Sequence, residues 1–89
     1  MKIRPLAKAD YEEWRVLWVS YLDFYDTSLK AEVIDETFNR FIDNDQIRQN
    51  ALVAENKGDL VGLVHHIYHL DTWEIREVCY LQDLFVAHE

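Results

Sequence analysis

One run near the end of the chain constrains the fold more than any other segment. The run from Val78 to Val86 reads Val-Cys-Tyr-Leu-Gln-Asp-Leu-Phe-Val and is apolar on both alternating faces, except at Gln82 and Asp83. A strand with two apolar faces normally lies inside a sheet and is covered on both sides. The sequence therefore predicts a packed strand over this run, Cys79 included, with one covering layer supplied by helical segments before it and nothing after it to supply the other.

Apolar spacing predicts two helices ahead of this strand. Asp10, followed by Glu13, resembles a capping box, whose acidic side chain accepts from the first helical turn. A first helix is expected from about Tyr11 to Tyr25, and a second is expected to end near Asp43. The first helix carries a stripe of large apolar side chains, namely Trp14, Leu17, Trp18, Tyr21, Leu22 and Tyr25. Such a stripe is typical of a face buried against a sheet, and one end could also wall a pocket.

Three further segments are typical of strands. They are Lys2 to Leu6, Ala51 to Glu55 and Leu60 to about Leu70. Gly58, between the last two, can take the positive φ that hairpin turns require. The predicted fold class is therefore mixed α/β (α+β) with the order β-α-α-β-β-β, in one domain over residues 1–89.

Composition and charge narrow the functional classes. The chain has 89 residues, 49% of them hydrophobic and 29% charged, which is typical of one small soluble domain. No apolar run approaches the roughly 20 residues that span a bilayer, and the start lacks the apolar middle of a signal peptide, so a cytoplasmic protein with no membrane partner is expected. The formal charge of −8 argues against nucleic acid and favours a cationic substrate or partner.

The carboxylate in the middle of the last strand is the strongest candidate for chemistry. A buried Asp83 costs several kcal/mol of desolvation unless it is paired or used. It could serve as a general base, or as an anchor for an amine that is losing its proton. It could equally cap a neighbouring element or bond to backbone N–H groups at a bulge.

Three histidines lie close together on the predicted third strand. His65 and His69 share a face there but stand about 13 Å apart at about 3.3 Å per residue, too far to bind one ion. No metal site is therefore expected. His66 or His69 could line a substrate cleft, and ordinary packing or exposure is the alternative. Phe24 and Trp73 fall outside the regular stripes and could be cleft residues or exposed contacts.

The order of elements and several motifs together resemble one enzyme superfamily. The opening Ile3-Arg4-Pro5-Leu6, the aromatic first helix and the run Leu60-Val61-Gly62-Leu63-Val64 resemble bacterial GNAT N-acetyltransferases. The run Tyr80-Leu81-Gln82-Asp83-Leu84-Phe85-Val86 is similar to the corresponding strand of the branch that acetylates polyamines such as spermidine and spermine. The resemblance implies the N-terminal half of the acyl-CoA N-acyltransferase fold, with a mostly antiparallel sheet.

The resemblance also implies roles for individual residues. In the family this strand carries a bulge, and backbone groups past it, here at Leu84, Phe85 and Val86, pair with the pantetheine arm of acetyl-CoA. Carboxylates before that point handle the acceptor amine, so Asp83 and Gln82 are the expected catalytic residues. The family's Glu falls on Gln82, which leaves Asp83 as the only carboxylate there. The residues expected to line the amine site are Tyr25, His66 and Tyr80.

The resemblance implies that the chain carries only part of the family's domain, which leaves functions other than acetyl transfer open. The family's loop for the pyrophosphate of acetyl-CoA would begin past Glu89, so the chain is expected to be a partial, substrate-side domain that is inactive alone. The alternative is a non-catalytic half-domain that forms a homodimer through its last strand or an apolar face, burying Trp73 and Phe85. An acidic mimic of nucleic acid is a third hypothesis.

Overall fold

Two helices and a four-stranded antiparallel sheet make up the molecule. A computed structural model describes residues 1–87, and in it the strands lie in the order β1-β2-β3-β4. The elements are β1 (Lys2–Pro5), α1 (Tyr11–Phe24), α2 (Ala31–Ile42), β2 (Gln49–Asn56), β3 (Asp59–His69) and β4 (Val78–Val86). The predicted order β-α-α-β-β-β is confirmed, and the bounds of β4 match those predicted. Within residues 1–87, no helix has the length and apolarity needed to cross a bilayer.

The first helix begins where the sequence predicts, but for a different reason. The side chain of Asp10 makes no hydrogen bond to the first turn of α1, and its Oδ2 accepts instead from the backbone N–H of Ala7 at 2.7 Å. The side chain of Glu13 accepts from the backbone N–H of Leu60 at 2.9 Å. The predicted capping box is therefore wrong, because both acidic side chains have better partners outside α1.

An ion cluster joins the start of α1 to the sheet. Arg4 donates to Asp10 at 2.7 and 2.9 Å and to Glu55 on β2 at 2.8 and 3.1 Å. Asp10 is buried, and its hydrogen bonds with the Arg4 guanidinium hold the pKa of that carboxyl below its usual value. A paired, hydrogen-bonded carboxylate of this kind avoids the cost of an isolated buried charge. The cluster therefore fixes the position of the start of α1 relative to β1 and β2.

A tight hairpin joins β2 to β3. Lys57 has φ 54° and Gly58 has φ 87°, and these two residues separate the paired ends Asn56 and Asp59. Positive φ at both central residues is the geometry of a type I′ turn, whose twist matches the flanking strands. The predicted role of Gly58 is confirmed.

The core lies on one face of the sheet, under both helices. Alternate residues of β2 and β3 point to that face, with Ala51 and Val53 buried on β2 and Leu63 and His65 buried on β3. The helices contribute most of the other large buried side chains, namely Trp14, Leu17, Trp18, Leu22, Ile34 and Phe38. The aromatic stripe of α1 is therefore core at its N-terminal end, as predicted.

The strand β4 lies at the edge of the described sheet and is covered on one face only. Leu81, Leu84 and Val86 point to the face opposite the helices and remain exposed. Cys79 is also exposed, so the expectation that it is packed is wrong for the described residues. As predicted, the helices cover one side of the sheet, and within residues 1–87 no helix packs on the second face of β4.

The one-sided core predicts a contrast between two leucines on neighbouring strands. Leu63 is 2% exposed and Leu81 is 56% exposed. Because truncating a buried leucine removes apolar contact and leaves a cavity, Leu63→Ala should lower the free energy of unfolding by about 2–5 kcal/mol. The matched change Leu81→Ala should alter it by about 0.5 kcal/mol or less. Urea unfolding measures both, and equal losses would contradict the assignment of the core to the helix side.

Candidate functional site

A bulge in β4 shapes the candidate site. Asp83 pairs with His65, but the next pair along β3 joins His66 to Leu81, so Gln82 is an extra residue without a partner on β3. A bulge of this kind locally changes which side chains share a face. Tyr80 and Asp83, three positions apart, would point to opposite faces of a regular strand. With Gln82 inserted, both point to the helix side.

The carboxylate of Asp83 lies against a buried histidine. Its side chain is 12% exposed, and Oδ2 lies 3.0 Å from Nδ1 of His65, whose side chain is 2% exposed. The other ring nitrogen of His65, Nε2, accepts from Nε1 of Trp14 at 3.1 Å. Asp83 is therefore a partnered carboxylate at the rim of the core, with a small part of its surface open to solvent.

A tyrosine from α1 contacts the same carboxylate. Burial, together with the hydrogen bond to Asp83 and its negative charge, raises the pKa of the Tyr21 phenol to about 12. The phenol therefore stays protonated at neutral pH, close to the carboxylate of Asp83. The rings of Tyr25 and Trp18 lie 5.0 Å from that of Tyr21, between ring centroids, so Tyr21 stands between the core and the exposed end of α1.

A cleft separates the C-terminal end of α1 from the end of β4. It has a volume of about 220 Å³. Its lining residues are Tyr21, Phe24, Tyr25, Leu84, Phe85 and Val86. The structure thus brings Tyr25, expected at the amine site, together with the segment expected to contact acetyl-CoA. Phe24, whose role the sequence left open, lines the cleft as well.

The remaining predicted residues lie on both faces of the sheet. Tyr80 faces the helix side and is near enough to influence the Tyr21 phenol. His66 pairs with Leu81 on the opposite face and stacks edge-on with Tyr68, so the structure does not bring it to Asp83. His69 is exposed, with Nδ1 3.0 Å from the carbonyl oxygen of Leu70. Trp73 is exposed and lies outside the cleft.

The histidine beside the carboxylate is His65, to which sequence reasoning gave no role. The signal for it was strand alternation: His65 shares its face with Leu63 and Ile67, so it had to point into the core. The spacing was used only to test a metal site with His69. The partners Trp14 and Tyr21 could not be assigned by spacing, because which face of α1 meets β4 depends on tertiary packing.

The outer edge of β4 offers backbone groups to a ligand. The N–H of Ala87 donates to the carbonyl of Val61 on β3 at 2.8 Å, so residue 87 points inward. The direction of the backbone N–H and C=O groups alternates along a strand. Those of Phe85 therefore also point towards β3, whereas those of Leu84 and Val86 point to the outer edge. Within the described chain this edge has no strand beside it. Such an edge can pair with an extended chain or an amide-bearing ligand.

Known proteins share both the sequence pattern and the fold. The chain is 36% identical over 86 residues to the D-amino-acid N-acetyltransferase HPA3 of Saccharomyces cerevisiae, covering 96% of this chain and 53% of that protein. A solved probable acetyltransferase superposes with a TM-score of 0.83 at 19% identity, over 100% of this chain and 59% of the other. No family model matches the chain.

A second solved structure contains a ligand related to the predicted one. It is that of AAC(6')-Iy in complex with the bisubstrate analog CoA-S-monomethyl-acetylneamine, with a TM-score of 0.78 at 16% identity, over 97% of this chain and 56% of that one. The chain thus spans little more than half the length of these proteins. The resemblance stated from the sequence is confirmed to that extent: the chain has the sequence similarity and the fold of a partial GNAT N-acetyltransferase domain.

Proposed function

We propose that this protein transfers an acetyl group from acetyl-CoA to a small primary amine, and that these residues form its amine-binding side. The observation that carries the proposal is the placement of Asp83. A partnered carboxylate, slightly open to solvent, lies at a bulge in a strand whose next residues line a cleft. The similar proteins support N-acetyl transfer as the reaction class.

Asp83 would act on the proton of the amine. An amine in water at pH 7 is mostly an ammonium ion, and only the neutral form can attack a thioester carbonyl. Asp83 would bind the ammonium ion and first accept its proton, directly or through a water molecule. The neutral amine would then attack the thioester carbonyl, so that the C–N bond forms, the C–S bond breaks and coenzyme A leaves as a thiolate that is then protonated. Gln82, exposed at the bulge, would donate a hydrogen bond beside the amine but cannot serve as a base.

The acetyl donor would lie along the outer edge of β4. The outward backbone groups of Leu84 and Val86 suit the amides of a pantetheine arm, and Phe85 would form the floor of the cleft. The bisubstrate analog in one similar structure carries CoA, which supports acetyl-CoA as the donor here. The groups that bind its phosphates and protonate its thiolate would lie outside these residues.

The surroundings of Asp83 favour a cationic acceptor. Tyr21 lies close to the carboxylate, with Tyr25 and Tyr80 near its phenol, and aromatic faces attract ammonium groups. The chain also carries a formal charge of −8. We therefore propose a polyamine or another small amine as the acceptor. His66, on the opposite face of the sheet, has no part in this proposal. A cytoplasmic location remains a prediction from the sequence.

The direct test is acetyl transfer by the natural protein that carries this sequence. Asp83→Asn keeps the shape but removes the base, so kcat/KM for a primary amine should fall by about a hundredfold or more. Asp59→Asn, an exposed acid at the hairpin on β3, is the matched control and should leave the rate unchanged. Equal activity of Asp83→Asn and the wild type would overturn the proposal.

The contact between Tyr21 and Asp83 predicts an unusual phenol titration. Because burial and the carboxylate raise the Tyr21 pKa to about 12, tyrosinate absorbance should show a late transition that Tyr21→Phe removes. Asp83→Asn should move it part of the way to about 10, the ordinary value. Asp35→Asn should instead affect Tyr11, which donates to Asp35.

The same shift has a consequence for stability. A raised folded-state pKa contributes stability that is complete below pH 10 and is lost as pH rises towards 12. Tyr21→Phe should therefore flatten the decline of the unfolding free energy over that range. If Tyr21→Phe leaves the decline of the unfolding free energy unchanged, the pKa of Tyr21 is not raised in the folded protein.

A second function is favoured by the exposed edge of β4 and the uncovered apolar face beside it. Leu81, Leu84 and Val86 could pair with a second copy, making a non-catalytic homodimer. Sedimentation velocity should then give a dimer that Leu81→Lys dissociates. A clean monomer at high concentration would exclude this function. A dimer that acetyl-CoA dissociates would instead favour acetyl transfer, because both need the same edge.

A further inference from the structure

His65 is a buried polar side chain that the proposed chemistry does not use. It is 2% exposed, and it is packed among the rings of Trp14, Trp18 and Phe41 with centroid distances of 6.0, 4.7 and 4.5 Å. We propose that Trp14 locks the ring proton of His65 onto Nδ1, and that His65 is thereby a positioning residue that aims the carboxylate of Asp83. The role given to Asp83 rests on the proposed function, but the state of the ring does not.

The donor chemistry of tryptophan determines the tautomer. An indole N–H can only donate, so Nε2 of His65, 3.1 Å from Nε1 of Trp14, must accept and carries no hydrogen. The ring hydrogen is then on Nδ1, which lies 3.0 Å from Oδ2 of Asp83 and donates to it. The three side chains form one directed chain of hydrogen bonds from the core to its solvent-exposed rim.

The opposite arrangement would leave two donors face to face. A hydrogen on Nε2 would point at the Trp14 N–H in a site that water does not reach, and both groups would lose their bond. Unmade hydrogen bonds of buried groups are costly. Trp14 cannot turn away easily, because its ring is fully buried between Phe38, Phe41 and Trp18.

The lock has a consequence for the carboxylate. Oδ2 of Asp83 is committed to His65 at 3.0 Å, and the Tyr21 phenol of α1 lies close enough to the same carboxylate for its pKa to be raised. The hydrogen bond to a tightly packed ring restricts the rotation of the carboxylate. The side chain is 12% exposed, and an ammonium group would arrive from that exposed side. Precise aim matters because small misplacements of a reacting group lower rates sharply.

The chain contains a matched pair of tryptophans for testing this. Trp14 and Trp18 are both buried on α1, and both pack against His65. Only Trp14 donates to it, since Nε1 of Trp18 has no hydrogen-bond partner within residues 1–87. Trp14→Phe removes the donor, whereas Trp18→Phe removes a similar volume and an N–H that bonds to nothing.

The first measurement is nitrogen NMR of the chain labelled with 15N at histidine and tryptophan. The wild-type spectrum should show His65 with a bare Nε2 and a hydrogen on Nδ1, and a coupling through the hydrogen bond between Nε1 of Trp14 and Nε2. Trp18→Phe should retain this pattern, whereas Trp14→Phe should lose the coupling and shift Nε2. A hydrogen on Nε2 in the wild type would overturn the proposal, whether or not the variants fold.

The second measurement separates positioning from general packing. In the natural protein, Trp14→Phe should lower kcat for amine acetylation about five- to tenfold, the effect of one lost hydrogen bond, with KM for acetyl-CoA unchanged. Trp18→Phe should retain the wild-type kcat. Equal losses in both variants would reduce Trp14 and His65 to packing residues. If Asp83→Asn is fully active, the proposed function fails, while the NMR result on the tautomer still stands.

Discussion

The candidate site depends on a carboxylate being kept at the boundary between core and solvent, and the contact between Asp83 and His65 keeps it there. Alone, an acid at this position would be costly to desolvate or would turn outward. The imidazole N–H at 3.0 Å makes the inward position favourable, and Trp14 behind the ring supplies the matching donor. The aromatic packing of α1 against β3 thus supports the hydrogen bonds that join Trp14, His65 and Asp83. The candidate site is therefore continuous with the hydrophobic core.

The bulge at Gln82 gives this contact its place in the sheet. By inserting one residue into β4, it puts Tyr80 and Asp83 on the same side, facing the aromatic end of α1. Beyond the bulge, β4 turns its outward backbone groups to an open edge beside a cleft of about 220 Å³. An amine near Asp83 and an extended thioester along the edge could therefore meet without any rearrangement of the strands. Those same features, an open edge and an uncovered apolar face, are also what a second copy would use.

Periodicity predicted the elements of this fold well, because each helix and strand has a local reason to form. The stripe of α1 and the turn at Gly58 are examples, and the bounds of β4 were predicted from its apolar pattern alone. Prediction failed where the environment of a side chain depends on tertiary structure that the local pattern does not contain. Asp10 resembled a helix cap but bonds to Arg4, and Cys79 resembled a packed residue but lies on an edge strand. At the site, Asp83 and the cleft segment Leu84 to Val86 were singled out by composition and resemblance, whereas His65 was not, because its partners lie 51 and 18 positions away.

The central claim is that Asp83 is aimed at an incoming amino group, and carboxyl-selective 13C NMR of the chain tests it most directly. Titration with a simple primary amine such as butylamine should shift the Asp83 carboxyl carbon more than those of exposed acids such as Asp59. The neutral product analogue N-butylacetamide should leave that carbon unshifted, because it carries no ammonium charge. An Asp83 signal that stays still while the exposed carboxylates respond to the amine would contradict the account.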